Sequence, residues 1–294
     1  TFGYADRFDE KYDLVRSVRK GKFKYIRNYQ PFNVDGLYNF YRYKMLAYKE
    51  WYNLFQNGKL NEVQSQFFKP KTPEALYNIE EDPHETNNLA NDDNYNETLT
   101  GLRNELNNHL ISINDLSFLP EPHLLQNGLD DIVDYSEKNK DLIKSLIEIS
   151  DLMLYDYNEV SSQIKDALNN DNPWVRYWGL IVSSTFGDLA LENNEKINFI
   201  FENDSENLVR MRAAEFMLLN DLEISNSEIN SLLKRSNFEA EANLMLNTLA
   251  NLKTKNSNFK LELGKEVYPN NWFPPIRNEN ALVNRRMNYL TNNE

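Results

Sequence analysis

The chain has 294 residues, of which 40% are hydrophobic and 13% aromatic, so it is too apolar for a disordered protein and long enough for one large or two modest domains. It contains no cysteine and no apolar run that approaches about 18 residues, which excludes disulfides, thiolate metal sites, a cysteine nucleophile and a membrane-spanning helix. The net charge of −13 is uneven, because residues 1–60 hold 12 Lys and Arg against 6 Asp and Glu, whereas the remainder holds 20 against 39.

The basic head, residues 1–60, has two interpretations. It binds an anionic partner, or it forms a locally basic sheet edge that discourages aggregation. The cations on its predicted hairpin are Arg16, Arg19, Lys22, Lys24 and Arg27. We expect no nucleic-acid partner, because the whole chain is acidic and lacks both a basic helix and a recognisable nucleic-acid motif. We expect no membrane partner either.

Residues 1–30 predict β-strands. Two runs, 13–19 and 23–29, are rich in β-branched and aromatic residues, and the three-residue link Lys20-Gly21-Lys22 between them predicts a hairpin. The charged cluster 6–10 precedes the first run, so we expect it at an end of the sheet, where loops present functional groups. Arginine suits a sulfate ester because its planar fork donates parallel hydrogen bonds to an oxyanion. The alternative for this cluster is an exposed network of salt bridges.

Residues 32–68 are rich in aromatic side chains. Leu46, Tyr48, Trp51, Tyr52 and Phe55 recur at helical spacing and predict a helix with a buried stripe. An aromatic platform for a sugar is the alternative. Further on, residues 74–80 predict a short strand, and leucines at three- and four-residue steps predict a helix over 95–113. The first part of the chain is therefore predicted to be a small antiparallel sheet packed with helices, an α+β arrangement.

Beyond residue 115 the pattern changes to helices alone. The proline-containing segment 116–135 is predicted to be a linker, which divides the chain into residues 1–115 and 136–294. Within the second part, the Val-Arg pair at 175–176 recurs 34 residues later at 209–210, each after an acidic turn, and 238–244 is a looser third copy. This pattern is typical of HEAT-like helical repeats, so 136–294 is predicted to be an all-α repeat domain.

Few residues in the chain carry recognisable chemistry. The three histidines, His84, His109 and His123, have no helical metal-ligand spacing and are expected at the surface. There is no glycine-rich phosphate loop, no G-x-S-x-G elbow and no H-E-x-x-H motif. The residues alone therefore predict neither a catalytic residue nor a metal site.

Three blocks of residues, however, resemble a known family. They are D-R-x-D-E-x-x-D-x-x-R-x-V-R at 6–19, K-Y-I-R-N-Y at 24–29 and E-x-L-Y-x-x-E-x-D-P-x-E-x-x-N-L-A at 74–90. Together they resemble the C-terminal end of the type I, formylglycine-dependent sulfatases, over residues 1–120. A weaker resemblance to the helical repeats of bacterial polysaccharide sulfatases ends near residues 272–277.

The resemblance implies a hydrolase of sulfate esters, in which a Cys or Ser of a C/S-x-P-x-R motif becomes formylglycine and a calcium ion polarises the sulfate. No residue here matches that motif, so the nucleophile and the metal ligands are expected upstream of Thr1, and this fragment alone is expected to be inactive and to bind no cofactor. Asp6 and Arg7 are the expected substrate-rim contacts, because the end subdomain of the family borders the catalytic pocket.

The full-length protein is thus expected to be a periplasmic or extracellular sulfatase that acts on a sulfated glycan. The alternative is a non-catalytic scaffold whose helical repeats bind a protein partner. A C/S-x-P-x-R motif in the upstream sequence would favour the enzyme. The glycan, the linkage attacked and the oligomeric state do not follow from the sequence.

Overall fold

The computed structural model describes residues 1–236, 238–255, 261–263 and 282–291. Its only sheet within those ranges is antiparallel and has four strands, β1 (Phe2–Phe8), β2 (Lys11–Lys20), β3 (Phe23–Asn28) and β4 (Glu74–Asn78). The strands lie side by side in chain order, with β1 and β4 at the edges. The predicted α+β class is confirmed, as are the strands expected within residues 1–30 and 74–80.

The hairpin between β2 and β3 is tighter than expected. Lys20 pairs with Phe23, so the link is the two residues Gly21 and Lys22 instead of three. Gly21 has φ +57°, a left-handed conformation that glycine adopts without steric cost. A glycine in the first of two turn positions is the pattern of a type II′ hairpin turn, whose twist matches the flanking strands.

The insertion between β3 and β4 carries three helices, α1 (Phe40–Tyr43), α2 (Leu46–Gln56) and α3 (Glu62–Ser65). The predicted helix of residues 46–55 is present, but its buried stripe is not, because no residue of α2 is fully buried and Leu46 is 80% exposed. Its aromatic side chains instead contact a neighbouring turn, where Trp51 stacks on Phe67 with ring centroids 4.6 Å apart.

Helix α4 (Asn96–Ser112) packs on β2 and β3, as the leucine spacing predicted. Segment 116–135 follows it and contains a turn of 3₁₀ helix, α5 (Glu121–Asn127) and the start of α6 (Ile132–Lys138). Phe118 and Leu119 are buried, and the Trp178 indole donates a hydrogen bond of 2.8 Å to the Phe118 carbonyl. The predicted division of the chain into two domains, 1–115 and 136–294, joined by a linker at 116–135, stays a prediction.

The rest of the described chain is helical. The helices are α7 (Lys140–Asp151), α8 (Tyr157–Leu168), α9 (Pro173–Phe186), α10 (Asn194–Asn203), α11 (Asn207–Leu219), α12 (Asn226–Lys234), α13 (Glu239–Lys255) and α14 (Leu282–Thr291). Helix α9 packs against α8 and α11, and α11 in turn packs against α10, α12 and α13. The weaker resemblance near 272–277 lies outside the described residues.

The helices and the sheet share a buried seam. The Asn247 side chain of α13 accepts a hydrogen bond from the Tyr12 N–H at 3.0 Å and donates one to the Tyr12 carbonyl at 3.1 Å. Arg286 of α14 donates to the Glu10 carbonyl and to the Asn247 side chain. Within the described ranges, no helix is long and apolar enough to cross a bilayer.

Candidate functional site

Asp6 and Arg7 lie within the edge strand β1, and not in a loop that precedes a strand. The residues that form the tight turn after β1 are Asp9 and Glu10, with Asp9 at φ +50°. The charged cluster 6–10 thus lies at an end of the sheet, as predicted, but Asp6 and Arg7 belong to the last residues of a strand and not to a loop. The reason for the difference is that the hydrophobic alternation of β1 is too weak to distinguish it from a loop. The pairing of β1 with β2 shifts by one residue between Ala5 and Arg7, a bulge of the kind that re-aims side chains.

Asp6 belongs to a buried network of charges. Its carboxylate accepts a hydrogen bond of 2.5 Å from the Arg16 guanidinium and one of 3.0 Å from the Ser117 hydroxyl. The same Arg16 donates from Nε and Nη2 to the two oxygens of Asp115, at 2.6 and 3.2 Å. Asp115 also accepts a hydrogen bond from the Ser117 N–H. Asp6 and Arg16, ten residues apart, are thus joined to a segment about a hundred residues further along the chain.

Arg16 is held in its charged form. It is only 4% exposed, and burial by itself would lower the pKa of its guanidinium. Hydrogen bonds and the negative charges of Asp115 and Asp6 outweigh burial and raise the pKa of Arg16 above its ordinary value. Every oxygen of Asp6 and Asp115 is engaged in this network, so its first role is to join β1 and β2 to the turn at 116–118.

Arg7 points to a different set of carboxylates. Its guanidinium lies 2.9 Å from the Glu121 carboxylate, and both side chains are about one-third exposed. It also faces Glu239, whose pKa is raised by burial of the carboxyl in spite of the opposing charge of Arg7. One salt bridge does not use all five N–H donors of an arginine, so Arg7 retains N–H groups that could donate hydrogen bonds to a sulfate.

Two clefts flank these side chains. A cleft of about 410 Å³ is lined by Tyr4, Asp6, Arg16 and His109 among others, and Tyr4 is 82% exposed. A smaller one, of about 200 Å³, is lined by Asp6, Arg7, Ser117 and Glu121. The structure therefore brings the two predicted site residues to the walls of clefts, and their contact with a substrate stays a prediction.

Most cations of the predicted hairpin are paired with carboxylates from later in the chain. Beyond Arg16, these pairs are Lys22 with Glu81 at 3.8 Å, Lys24 with Glu85 at 2.7 Å and Arg27 with Asp151 at 3.4 Å, and the neighbouring Lys20 pairs with Glu105 at 2.7 Å. Binding of an anionic partner and protection of a sheet edge both remain possible roles for the basic head. The ion pairs add a third explanation of its positive charge. The head is basic largely because the acidic body packs against it.

The described residues offer no place for the calcium ion of the resembled family. They contain no group of three or more His, Asp and Glu side chains that could hold a metal ion. Two histidines have other contacts: His109 stacks on Phe2 with ring centroids 3.7 Å apart, and the His123 ring lies 2.7 Å from the Tyr135 hydroxyl. Burial lowers the pKa of His123. Calcium therefore does not fit the residues described, and without a C/S-x-P-x-R motif no residue of the sequence could become formylglycine.

The sequence alone did not reveal a third cleft, of about 250 Å³, that four tyrosines help to line. Its lining residues are Gly36, Tyr38, Tyr43, Lys49, Tyr52, Asn53, Gln56, Thr254 and Tyr289. Four of them, at 49, 52, 53 and 56, lie on one face of α2, a spacing that the sequence does contain. The contributions of Thr254 and Tyr289, about two hundred residues away, depend on the tertiary fold and leave no local signal.

Part of the chain is similar in sequence to a known sulfatase. Over 122 residues, the chain is 43% identical to the ulvan-active sulfatase of Formosa agariphila. The chain is related to a sulfatase. The match covers 41% of the chain and 20% of that protein, so the chain spans about a fifth of the length of the curated relative it matches. No family model and no solved structure matches the chain.

Proposed function

We propose that the protein to which this chain belongs is a sulfatase that hydrolyses sulfate esters of a sulfated carbohydrate, with the chain as its C-terminal part. The observation that carries the proposal is the 43% identity over 122 residues to an ulvan-active sulfatase. The three sequence blocks at 6–19, 24–29 and 74–90 support it, because they resemble the end subdomain of the sulfatases; they hold the end of β1, most of β2 and of β3, and all of β4.

The catalytic machinery belongs elsewhere in this proposal. The chain has no cysteine and no serine in an S-x-P-x-R context, and its described residues do not form a metal site. We therefore assign the formylglycine and the calcium ion to residues outside these 294. The role left to this chain is to support the pocket and contact its substrate, with Asp6 and Arg7 at the rim.

The helical part is proposed to be a short HEAT-like array. Two observations support this assignment: α9, α11 and α13 pack in succession, and polar contacts recur at about the repeat length. Arg176 donates to both oxygens of Asp204, Arg212 donates to the Tyr177 hydroxyl, and Asn207 donates to Glu241. Such arrays present surfaces to other molecules, so a protein partner for this region belongs to the proposal. We propose a periplasmic or extracellular location, as for other enzymes that meet polymeric glycans.

The proposal is tested with the full-length protein. We expect it to release sulfate from a chromogenic aryl sulfate and from a sulfated polysaccharide, and to lose both activities when the cysteine or serine of an upstream C/S-x-P-x-R motif is replaced by alanine. The 294-residue chain alone should give no turnover of the aryl sulfate, with or without added calcium. A full-length sequence without that motif, or turnover by the chain alone that a substitution within it abolishes, would overturn the proposal and favour a scaffold.

A further inference from the structure

We infer that the tyrosine cleft, the set of nine residues between α2, α13 and α14 named above, binds a sulfated sugar residue of the polymer. The inference rests on the proposed function for the class of ligand. Its geometric basis is independent of Asp6 and Arg7, since neither lines this cleft. The first observation is the face of α2, where Lys49, Tyr52, Asn53 and Gln56 stand at positions i, i+3, i+4 and i+7 and so share one side of the helix.

The aromatic rings of the tyrosine cleft are fixed in place. Tyr38 and Tyr289 stack in parallel, with ring centroids 4.3 Å apart and an interplanar angle of 5°. The Tyr43 hydroxyl donates a hydrogen bond of 2.7 Å to the Gly36 carbonyl, and the Tyr289 hydroxyl lies 3.1 Å from the Thr254 hydroxyl. Tyr52 packs edge-on against Tyr43. Tyr43 is only 7% exposed, so the apolar ring surface offered to the C–H face of a sugar comes from the partly exposed Tyr52 and from the uncovered parts of Tyr38 and Tyr289, which lose little side-chain entropy on binding.

The polar groups of the tyrosine cleft suit a sugar that carries a negative charge. Lys49, Asn53 and Gln56 are exposed, and they supply an ammonium group and two amides, which can donate to sulfate oxygens and exchange hydrogen bonds with hydroxyls. In a chain of net charge −13, the residues that line this cleft include no Asp or Glu. Lys253 does not line the cleft; it donates to the Tyr289 carbonyl and lies 4.9 Å from the Tyr289 ring centroid, so it helps to hold this wall in place.

The size of the tyrosine cleft also restricts the ligand. Its volume of about 250 Å³ lies just below the range of roughly 300–1,000 Å³ in which pockets for drug-sized molecules fall. One sugar ring with its sulfate group is of that scale, whereas a folded oligosaccharide is not. The cleft would therefore hold a single residue of a longer polymer, and the affinity of one such contact is expected to be modest.

The experiment measures binding and needs no turnover. Ulvan, chemically desulfated ulvan and inorganic sulfate are titrated into the 294-residue chain and followed by calorimetry at low salt. The variants are Tyr52→Ala and Lys49→Gln, and the matched controls are Tyr41→Ala and Lys59→Gln. Tyr41 and Lys59 are exposed residues of the same insertion that do not line the cleft. Circular dichroism and thermal melting show that each variant is folded.

We expect ulvan to bind, desulfated ulvan to bind more weakly and inorganic sulfate to bind too weakly to detect. Tyr52→Ala should weaken ulvan binding about tenfold and Lys49→Gln about threefold to tenfold, with the controls unchanged. Lys49→Gln should have little effect on the desulfated polymer. The inference is overturned if folded wild-type chain does not bind ulvan, or if the cleft variants and the controls weaken binding equally. Either result leaves the sulfatase proposal standing, because that proposal is decided by sulfate release from the full-length protein.

Discussion

The sheet region and the helical region are held together over very different distances along the chain. In the sheet region, buried polar contacts join residues far apart: Arg16 to Asp115, Arg27 to the Ser150 carbonyl, and Tyr12 to Asn247. In the helical region the comparable contacts span fewer residues, three from Arg212 to Glu215 and 28 from Arg176 to Asp204. Each helix pair can therefore bury its charges against its neighbours, whereas the sheet depends on helices that follow it by a hundred residues or more.

This difference bears on which cations are available to a ligand. Arg16 and Arg27 are buried and are already paired with the later carboxylates Asp115 and Asp151, so neither guanidinium is available to a ligand. The positive excess of the basic head is therefore in large part an internal charge match with the acidic body. Lys49, on the surface of α2, and Arg7, at a cleft wall, are among the cations that remain accessible to sulfate.

The largest expected effect comes from removing the buried guanidinium that joins β2 to the segment after α4. Arg16→Ala leaves Asp115 and Asp6 without their partner, and loss of one member of a buried ion pair costs about 3–5 kcal/mol of stability. Urea denaturation of the chain should show this loss in the free energy of unfolding. Arg19→Ala, at an exposed position three residues on, is the control and should change stability by less than about 0.5 kcal/mol. Similar losses for the two variants would contradict the structural role of Arg16.

A smaller loss is expected at the seam between sheet and helices. Asn247→Ala removes two hydrogen bonds with the Tyr12 backbone and one from Arg286, which leaves buried polar groups unpaired. The expected cost is about 2–3 kcal/mol. Because the seam couples the two regions, the variant should also lower the cooperativity of unfolding, seen as separate transitions in near- and far-ultraviolet circular dichroism. Asn198→Ala, at a partly exposed position of α10, is the control; a single transition and no loss in Asn247→Ala would show that the regions are not coupled there.

The same contrast explains what the sequence could and could not predict. The helices at 46–56 and 96–112 follow from local periodicity, and the strand at 74–78 was also predicted from its local sequence. The hairpin follows from Gly21, although the predicted link between its strands was one residue too long. The exposure of Leu46 was missed, because helical spacing says which side chains share a face and not whether anything packs on that face. The partners of Arg16 and the closure of the tyrosine cleft by Tyr289 depend on contacts between distant residues, which a single sequence does not encode in any local pattern.

The smallest expected effect, and the one most specific to function, concerns Arg7. Its pair with Glu121 is about one-third exposed, so Arg7→Ala should cost at most about 1 kcal/mol of stability. If Arg7 contacts a sulfated polymer in the full-length enzyme, the substitution should raise KM for the polymer up to about fivefold, a change of about 1 kcal/mol, and leave KM for a small aryl sulfate unchanged. High salt should shrink the difference, because exposed charges are screened over about 8 Å at physiological ionic strength.

Glu121→Gln sharpens the test of Arg7, because it removes the competing carboxylate and keeps the side-chain shape. If Arg7 binds the polymer, this variant should lower KM for the polymer, since the guanidinium no longer divides its hydrogen bonds between Glu121 and sulfate. If Arg7 only stabilises the contact of β1 with α5, both variants should lower the melting temperature slightly and change KM for the two substrates equally. Equal changes would remove Arg7 from the proposed rim and leave the tyrosine cleft as the remaining candidate for contact with the glycan.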